Sequence, residues 1–349
     1  MVYKEAIMKA LYLPGPKELR LTDIPKPTPS ADEALVKVTH AGLCHTDVII
    51  REGNAPWVNY PTIPCHEFSG IVEECGAACD YVEPGDRVTV HTIIYCGYCS
   101  ACRREDHTGC ENKADLGSIR PGGFAEYCSV LERFLYKLPD HVSLEEASMI
   151  EPLANSISAV RNVDIKIGQR VVVIGPGPIG LLAVAIARLY SPSSLTLVGT
   201  RDTRLAIGST MGATHTLNIT KPGAVETLKQ DILGGKGADV IIECAGTQSA
   251  IKLALDVMGR NCRIGLEGSL GAGNTFALSG YEMQEYSAKM IGINGWLTKD
   301  FVQAVELVGC GKIDVRPIIT QRFPLEQWEE AFEMIVARKD ECVKVIITI

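Results

Sequence analysis

The stretch QRVVVIGPGPIGLLAVAIARLY, from Gln169 to Tyr190, constrains the fold of this chain more than any other feature. It opens with a continuous apolar run, which is typical of a strand buried on both faces. A turn rich in glycine and proline follows, and then a helical pattern. Strand-like and helix-like segments go on alternating up to about residue 291. This alternation predicts an α/β domain built on a doubly wound parallel sheet.

The turn in this stretch carries the spacing G-x-G-x-x-G at Gly175, Gly177 and Gly180. In a dinucleotide-binding turn the first glycine makes the tight turn, the second admits the pyrophosphate, and the third lets helix and strand pack closely. Pro178 and Ile179 begin the helix whose N-terminus would face the phosphates. A glycine-rich turn without a ligand is the alternative, but the neighbouring strand–helix units favour a Rossmann domain.

The end of the second strand, in LTLVGTRDTRL, indicates which dinucleotide binds. A carboxylate at this point would bind the ribose hydroxyl of NAD. Here the apolar strand runs out at Gly199 and Thr200, and Arg201 follows with a guanidinium suited to phosphate. With Arg204 in the same segment, the pattern predicts NADP(H) rather than NAD(H). In the alternative reading, Asp202 binds the ribose.

The residues before about 150 and after about 291 have a different pattern. Short alternating runs bounded by turn residues, such as EALVKVTH and GDRVTVH, predict a β-rich domain. An amphipathic segment, PLEQWEEAFEMIVARKD, and a closing strand, CVKVIITI, predict that the tail returns to that domain. We therefore expect one domain from residues 1–154 and 292–349, interrupted by a Rossmann domain at 155–291.

Four cysteines lie close together in CGYCSACRREDHTGC, spaced C-x2-C-x2-C-x7-C. The chain has 13 cysteines and no recognisable export signal, so we expect a cytoplasmic protein with reduced thiols. Clustered thiols then predict metal binding rather than disulfides. Because four thiolates leave no open coordination position, the predicted metal is a structural zinc in a lobe at about residues 92–114, held by Cys96, Cys99, Cys102 and Cys110.

A second set of possible zinc ligands lies in GLCHTD, CHEFSG and EPLA. A cysteine, a histidine and a carboxylate can hold Zn²⁺ and leave one position open for chemistry. The three segments offer Cys44, His66 and Glu151, and Cys65 and Glu67 flank the histidine either as ligands or only as its neighbours. The chemistry is expected at Cys44 and His66. Taken singly, a cysteine or a histidine of this kind is also a common core residue. Thr46, two residues after Cys44, would carry away the proton of a substrate hydroxyl, unless it only caps a turn.

These motifs, with GGFAEY and GKIDVRPIIT, resemble the zinc-dependent medium-chain dehydrogenases, the family of alcohol, sorbitol and threonine dehydrogenases. The resemblance covers essentially the whole chain. It implies a GroES-like catalytic domain interrupted by a Rossmann domain, a catalytic zinc on Cys44, His66 and either Glu67 or Glu151, and a homotetramer, with a dimer as the alternative. EPLA is typical of the sorbitol and threonine dehydrogenase branch.

The sequence departs from the family pattern at two positions. Many relatives end a proton relay with a histidine where this chain has Ile49. The sequence therefore does not fix the route of the proton beyond Thr46, and His45 is a weak substitute for the missing histidine. Cys65 stands where many relatives have glycine before the zinc-binding histidine.

The balance of charge excludes some partners. Lysine and arginine number 34 against 42 acidic residues, a net charge of −8, which disfavours a nucleic-acid partner. No apolar run reaches the ~18 residues of a membrane span.

Trp57 is expected either to line the substrate pocket or to pack, and Arg120 either to meet an acidic substrate or to be a solvated loop charge. Residues 274–278, NTFAL, are a candidate edge strand.

The sequence thus predicts a zinc-dependent oxidoreductase that transfers a hydride between NADP(H) and a secondary alcohol or polyol or its ketone. The zinc would act as a Lewis acid on the substrate hydroxyl. The alternatives are an NAD-linked L-threonine 3-dehydrogenase and, more distantly, a non-catalytic NADPH-binding module.

Overall fold

The computed structural model describes residues 6–271, 273–337, 339 and 341–349. The chain divides into two compact units. The outer unit contains the residues up to Glu151 together with Leu297–Ile349, and the inner unit contains Pro152–Trp296. The inner unit therefore begins and ends within a few residues of the bounds expected from the change in sequence pattern.

The strands of the described residues are β1 (Ile7–Tyr12), β2 (Arg20–Pro25), β3 (Glu33–Leu43), β4 (Phe68–Cys75), β5 (Arg87–Val90), β6 (Tyr127–Leu131), β7 (Leu135–Lys137), β8 (Arg170–Ile174), β9 (Ser194–Gly199), β10 (His215–Asn218), β11 (Ala238–Glu243), β12 (Met258–Leu266), β13 (Lys289–Gly292), β14 (Ile319–Pro324) and β15 (Lys344–Thr348).

The α-helices are α1 (His45–Arg51), α2 (Leu144–Ala147), α3 (Ile150–Val163), α4 (Pro178–Arg188), α5 (Asp202–Thr210), α6 (Ala224–Glu226), α7 (Gln248–Val257), α8 (Gly280–Glu285), α9 (Thr298–Gly309) and α10 (Trp328–Val336). A π-helical turn spans Thr227–Ile232. Short 3₁₀ turns lie at Cys102–Arg104, Glu132–Phe134, Arg316–Ile318 and Leu325–Gln327.

The outer unit is built on a sheet in the order β14-β15-β3-β4-β5-β7, and β6 also pairs with β3. Most neighbours are antiparallel, and only β14 and β15 run parallel. Along β3, Val36 and Val38 are buried while Lys37 between them is exposed, as the alternating sequence predicts. The core of this unit includes the rings of Phe68, Phe124, Phe134 and Phe332, among other fully buried side chains.

The C-terminal strand completes this sheet. In β15, Val345 pairs with Leu43 and Ile347 with Ala41 of β3, in an antiparallel register. Val345, Ile346 and Ile347 are all completely buried. This strand therefore lies inside the sheet, between β14 and β3, while β1 and β2 form a separate two-stranded sheet.

The inner unit contains the doubly wound sheet that the sequence predicts. Its order is β10-β9-β8-β11-β12-β13, and every pair is parallel. All six residues of β9 are buried, as expected of a strand covered on both faces. The GroES-like and Rossmann architectures expected from the sequence are both confirmed.

The predicted edge strand at 274–278 is wrong. These residues form no strand, and the sheet ends instead at β10 and β13. Side chains satisfy polar groups in and next to this segment, since Gln248 donates to the carbonyl of Thr275 (2.9 Å) and Asn274 donates to that of Leu270 (2.7 Å).

No helix within the described part of the chain has both the length and the apolar character needed to cross a membrane.

Candidate active site

The cysteine and the histidine of the predicted catalytic site come from two separate segments of the outer unit. Cys44 is the N-cap residue of α1, with extended backbone. His66 and Glu67 directly precede β4. The side chains meet, because one potential ligand atom from each of Cys44, His66 and Glu67 lies within 4.8 Å of the other two. The hydroxyl of Thr46, in the first turn of α1, is 3.6 Å from the Cys44 sulfur.

A buried carboxylate holds the two segments together. Asp47 is fully buried, and its Oδ2 accepts the backbone N–H of Cys44 (2.9 Å) while its Oδ1 accepts that of Cys65 (2.9 Å). The same Oδ1 is 3.9 Å from Nδ1 of His66. Asp47 belongs to the motif GLCHTD, but the sequence pattern assigns no role to it. Its place at the third position of a short helix, where a carboxylate can cap the N-terminus, was the available signal.

The backbone conformation of Cys65 explains why many relatives have glycine at this position. Its φ is 87°, in the left-handed region that glycine adopts most readily. This accounts for glycine in many relatives. The thiol is directed toward the backbone carbonyls of Gly42 (3.7 Å) and Glu67 (3.5 Å). Burial, which is complete, raises the pKa of this thiol well above its usual range, so it stays protonated.

Lys344, which the sequence reading missed, forms an ion pair with Glu67. Both side chains are almost entirely inaccessible, with 4% of the lysine and 2% of the glutamate exposed. Lys344 opens β15, and no local sequence pattern distinguishes it from a surface lysine. Removing one partner of such a buried pair typically costs about 3–5 kcal/mol, because the other charge is left uncompensated.

A cavity of about 140 Å³ opens beside these residues. Three of the predicted site residues line it, namely Thr46, His66 and Glu151. Glu151 belongs to the first turn of α3 and stands on the wall, outside the ligand group formed with Glu67. The full lining is Thr46, Ile50, Trp57, His66, Thr92, Ile93, Asp115, Leu116, Gly117, Ser118 and Glu151.

The surroundings of His66 favour positive charge. Burial acts to lower the pKa of the imidazole, but the Cys44 thiol, Asp47 and Glu151 together raise it well above its usual range. An environment that stabilises a cation at this point is the environment that a bound Zn²⁺ requires.

The structure distinguishes between the alternatives that the sequence leaves for Trp57 and for Arg120. Trp57 lines the cavity. Arg120 is neither a solvated charge nor a cavity residue, because its guanidinium binds the carboxylate of Glu33, whose side chain is only 9% exposed. Neither His45 nor Ile49 is part of the cavity wall.

The four-cysteine lobe has the geometry of a metal site. Zn–S bonds of about 2.3 Å in a tetrahedron put the sulfurs about 3.8 Å apart. The sulfurs of Cys96 and Cys110 are 3.6 Å apart, those of Cys96 and Cys102 3.9 Å, and those of Cys99 and Cys110 4.0 Å. A disulfide would need about 2.05 Å. Burial acts to raise the pKa of Cys96, but N–H groups of Tyr98 and Cys99 lower it to about 6.

The turn between β8 and α4 is shaped for a phosphate group. Gly175 has a φ of 109°, and a Cβ on Gly180 would lie 1.9 Å from the Gly175 carbonyl oxygen. A Cβ on Gly177 would instead meet no protein atom within 4 Å. The first and third glycines are therefore required by the fold, while the second leaves space for a ligand. Pro178 and Ile179 begin α4, as predicted.

A cleft of about 310 Å³ runs from this turn along the inner unit and is lined by Gly175, Gly199 and Thr200, among other residues. Arg201 is the N-cap residue of α5, and Arg204 lies in that helix. Asp202 is engaged by its neighbours, since its carboxylate accepts from Asn218 (3.0 Å) and pairs with Lys221 (3.2 Å).

Comparison with known proteins agrees with both units. The alcohol dehydrogenase GroES-like domain family matches residues 30–140, and the zinc-binding dehydrogenase family matches residues 178–309. Sorbitol dehydrogenase of Bacillus subtilis is 30% identical over 97% of each chain. L-threonine 3-dehydrogenase of Bacillus velezensis is 33% identical over 94% of each. The crystal structure of a zinc-binding dehydrogenase from Sinorhizobium meliloti 1021, bound to NADP, superposes with a TM-score of 0.93 at 29% identity and covers 99% of this chain and 100% of that one.

The chain belongs to the zinc-dependent medium-chain alcohol dehydrogenase family.

Membership of a zinc-binding family accounts for the two groups of possible metal ligands in this chain. The family binds zinc and uses a nicotinamide cofactor. The donors present fit both groups: sulfur, imidazole nitrogen and carboxylate oxygen meet at Cys44, His66 and Glu67, and a ligand-sized gap remains at Gly177.

We expect Cys99→Ser to lose the zinc of the lobe and to destabilise the protein, because metal binding there contributes to folding. A loss of about 2–3 kcal/mol would lower the midpoint of thermal unfolding by roughly 5–10 °C. Zinc per chain by mass spectrometry and calorimetric melting measure this. Cys310→Ser, the same change at an exposed cysteine, is the control. A Cys99→Ser protein that is folded and fully zinc-loaded, yet inactive, would contradict a structural role.

Proposed function

We propose that this protein is a zinc-dependent dehydrogenase that transfers a hydride between NADP(H) and a secondary alcohol or polyol, or the corresponding ketone. The observation that carries the proposal is the cavity that meets the Cys44–His66–Glu67 donor group at His66. The sorbitol dehydrogenase that the chain resembles supports a polyol substrate.

In this proposal the chain holds two zinc ions. Cys44, His66 and Glu67 hold the catalytic ion, and Cys96, Cys99, Cys102 and Cys110 hold the structural one. Of the two candidate glutamates, Glu67 is favoured as the direct ligand because its oxygen lies within the donor group, while Glu151 faces the cavity. When bound, the catalytic zinc supplies Lewis-acid polarisation, and the nicotinamide is the hydride acceptor.

The residues of the chain contribute position and proton transfer. Asp47 fixes the backbone of the cysteine ligand, and its Oδ1 lies 3.9 Å from Nδ1 of His66. Thr46 lines the cavity, and its hydroxyl takes the proton from the substrate hydroxyl. With no histidine at position 49, the proton leaves from Thr46 to water or the cofactor ribose.

L-threonine 3-dehydrogenase is the second candidate, because a protein of that name is 33% identical. The carboxylate of an amino acid substrate calls for a cationic partner. No lysine or arginine is among the described residues that line the cavity, and Arg120 is bound to Glu33. This distribution of charge favours a neutral alcohol or polyol. A non-catalytic NADPH-binding module is disfavoured because both complete donor groups are present.

We expect His66→Ala to leave a folded chain that still binds NADP(H) but turns over at least about a thousandfold more slowly. Loss of one ligand empties or distorts the only candidate site with an open coordination position in the described chain. Steady-state kinetics, zinc content and cofactor titration measure the outcome. His215→Ala, at an exposed histidine, is the matched control. Near-normal turnover of His66→Ala with one zinc missing would refute the catalytic assignment.

The preference for NADP(H) rests on the end of β9. Gly199 presents no carboxylate to repel a 2′-phosphate, and Arg201 follows it. The alternative ribose partner, Asp202, is already bound to Asn218 and Lys221. The NADP-bound structure from Sinorhizobium meliloti supports the same choice.

We expect Arg201→Ala to weaken NADP binding by about ten- to a hundredfold and NAD binding little, since a charge-assisted bond contributes about 1.5–3 kcal/mol. Isothermal titration with each cofactor measures this. Equal weakening of both cofactors, or a wild type that prefers NAD, would contradict the assignment.

Changing the cofactor preference from NADP to NAD needs two substitutions. A Cβ at position 199 would lie 2.5 Å from the Pro176 ring, so Gly199→Asp alone would strain the turn. Pro176→Ala with Gly199→Asp removes the clash, and this double variant should prefer NAD. Pro176→Ala alone is its control and should keep the preference for NADP.

We propose a homotetramer in the cytoplasm, with a dimer as the alternative assembly. The sorbitol and threonine dehydrogenases that the chain resembles suggest the assembly. Exposed apolar side chains around α8 support a covered surface there, with Leu278 45% and Tyr281 74% exposed in the single chain. Light scattering at micromolar concentration should give the mass of four chains. A monomer would contradict the proposal.

A further inference from the structure

One wall of the cavity is formed by the two segments at the base of the four-cysteine lobe. Residues 92–94 precede the cysteines and residues 114–118 follow them, and both segments contribute to the lining of the cavity. The backbone N–H of Leu116 donates to the carbonyl of Thr92 (3.0 Å), which joins the two segments. This pair of segments, here called the lobe base, therefore borders the cavity and is continuous with the lobe.

A single hydroxyl group connects the lobe base, the lobe and the returning C-terminal part of the chain. Thr298 is the first residue of α9. Its Oγ1 lies 3.3 Å from Nε2 of His91, 3.1 Å from the hydroxyl of Tyr95 and 2.8 Å from Nδ1 of His107. His91 and Tyr95 directly flank the segment 92–94, and His107 belongs to the lobe. Three parts of the chain therefore meet on one oxygen atom.

The three contacts use the whole hydrogen-bonding capacity of the Thr298 hydroxyl. A threonine hydroxyl has one proton to donate and two lone pairs with which to accept, so three partners satisfy it. Burial lowers the pKa of His91 to about 3, so its imidazole is neutral and offers one N–H and one acceptor nitrogen. Valine has nearly the same shape as threonine, but it would leave all three partners without this contact.

Ring contacts hold the partners of Thr298 in place. Tyr95 and His107 stack face to face, with 3.7 Å between ring centroids and 1° between ring planes. His91 is only 1% exposed and packs against Phe301 of α9 (5.2 Å) and against Phe134 (5.4 Å). Because close-packed interiors are hardly compressible, a displacement of the lobe is passed on to both ends of the segment 92–94.

We propose that Thr298 is a positioning residue for the substrate, whose hydroxyl fixes the lobe base against α9 and so couples the four-cysteine lobe to the shape of the cavity. This inference rests on the proposed dehydrogenase function and adds a role for a residue that does not itself line the cavity. The lobe then does more than stabilise the fold, since it holds the surface against which the substrate is bound.

Thr298→Val removes the hydroxyl and keeps the shape of the side chain. With butane-2,3-diol and NADP on the zinc-loaded enzyme, KM for the diol should rise about three- to tenfold, the range that one lost hydrogen bond supports. The value of kcat should change less than about twofold, because the lost contact affects binding rather than the reacting atoms. The dissociation constant of NADP should not change, since the cofactor cleft lies in the inner unit.

Two variants control for the loss of a hydroxyl. Thr298→Ser keeps the oxygen and should retain the wild-type KM. Thr214→Val removes a hydroxyl of the inner unit that accepts the N–H of Leu195 (2.8 Å) and donates to its carbonyl (3.0 Å). It should leave KM for the diol unchanged. Zinc content and melting temperature show whether each variant is folded and loaded.

A double-mutant cycle tests the connection through the lobe. Tyr95→Phe removes only the hydroxyl and keeps the ring that stacks on His107. If the two hydroxyls act through their mutual contact, Thr298→Val with Tyr95→Phe should raise KM by less than the product of the two single effects. Should Thr298→Val not fold, Tyr95→Phe alone is expected to raise KM, and an unchanged KM there refutes the coupling.

Hydrogen exchange followed by mass spectrometry gives a measure that does not depend on turnover. Backbone amides of the lobe base should exchange about three- to tenfold faster in Thr298→Val than in the wild type, because local opening becomes easier when a fixing contact is lost. In Thr298→Ser and Thr214→Val these amides should exchange at the wild-type rate.

The outcomes separate the inference from the function beneath it. If the wild type oxidises none of butane-2,3-diol, sorbitol and butan-2-ol with NADP or NAD, the proposed function fails, and hydrogen exchange still tests the fixing of the lobe base. If the diol is oxidised but Thr298→Val leaves both KM and the exchange of the lobe base unchanged, the dehydrogenase stands and the role of Thr298 is refuted. An equal rise of KM in Thr298→Val and Thr214→Val would refute it as well.

Discussion

The carboxylate of Asp47 accepts a backbone N–H from each of the two segments that carry the cysteine and histidine ligands. Without it, the N–H groups of Cys44 and Cys65 would lose their acceptor inside the outer unit, at about 1–3 kcal/mol for each buried donor. The ligand cluster depends on this one side chain, because ligands from distant parts of a chain must be held in place before a metal can bind strongly.

The ion pair between Glu67 and Lys344 ties the same cluster to the far end of the chain. Lys344 stands at the start of β15, which pairs with β3, the strand that leads into Cys44. The interruption of the outer unit by the inner unit therefore has a consequence for the site. The buried cation of the cluster comes from β15, so the candidate active site combines residues that lie before and after the inner unit in sequence.

In the inner unit, the proposed preference for NADP(H) involves two positions that lie against each other. Pro176, between the first two glycines of the turn, fills the space that a side chain at Gly199 would need. The absence of a carboxylate at the end of β9 is thus coupled to the proline in the turn. A carboxylate at position 199 would bring a Cβ to 2.5 Å from the Pro176 ring, which accounts for the design of the paired substitution.

Much of the fold and of the site could be predicted from sequence, because their signals are local. The continuous apolar run before GPGPIG and the alternation along β3 follow from the periodicity of strands and helices. The spacing of the four cysteines reflects the short reach of one loop around one ion, and the sulfurs do lie at tetrahedral distances.

The tertiary structure alone decided how distant side chains combine. The pairing of Arg120 with Glu33 and of Lys344 with Glu67, and the carbonyl of Thr275 bound by Gln248 rather than by a strand, join residues far apart in sequence. Periodicity carries no information about such contacts.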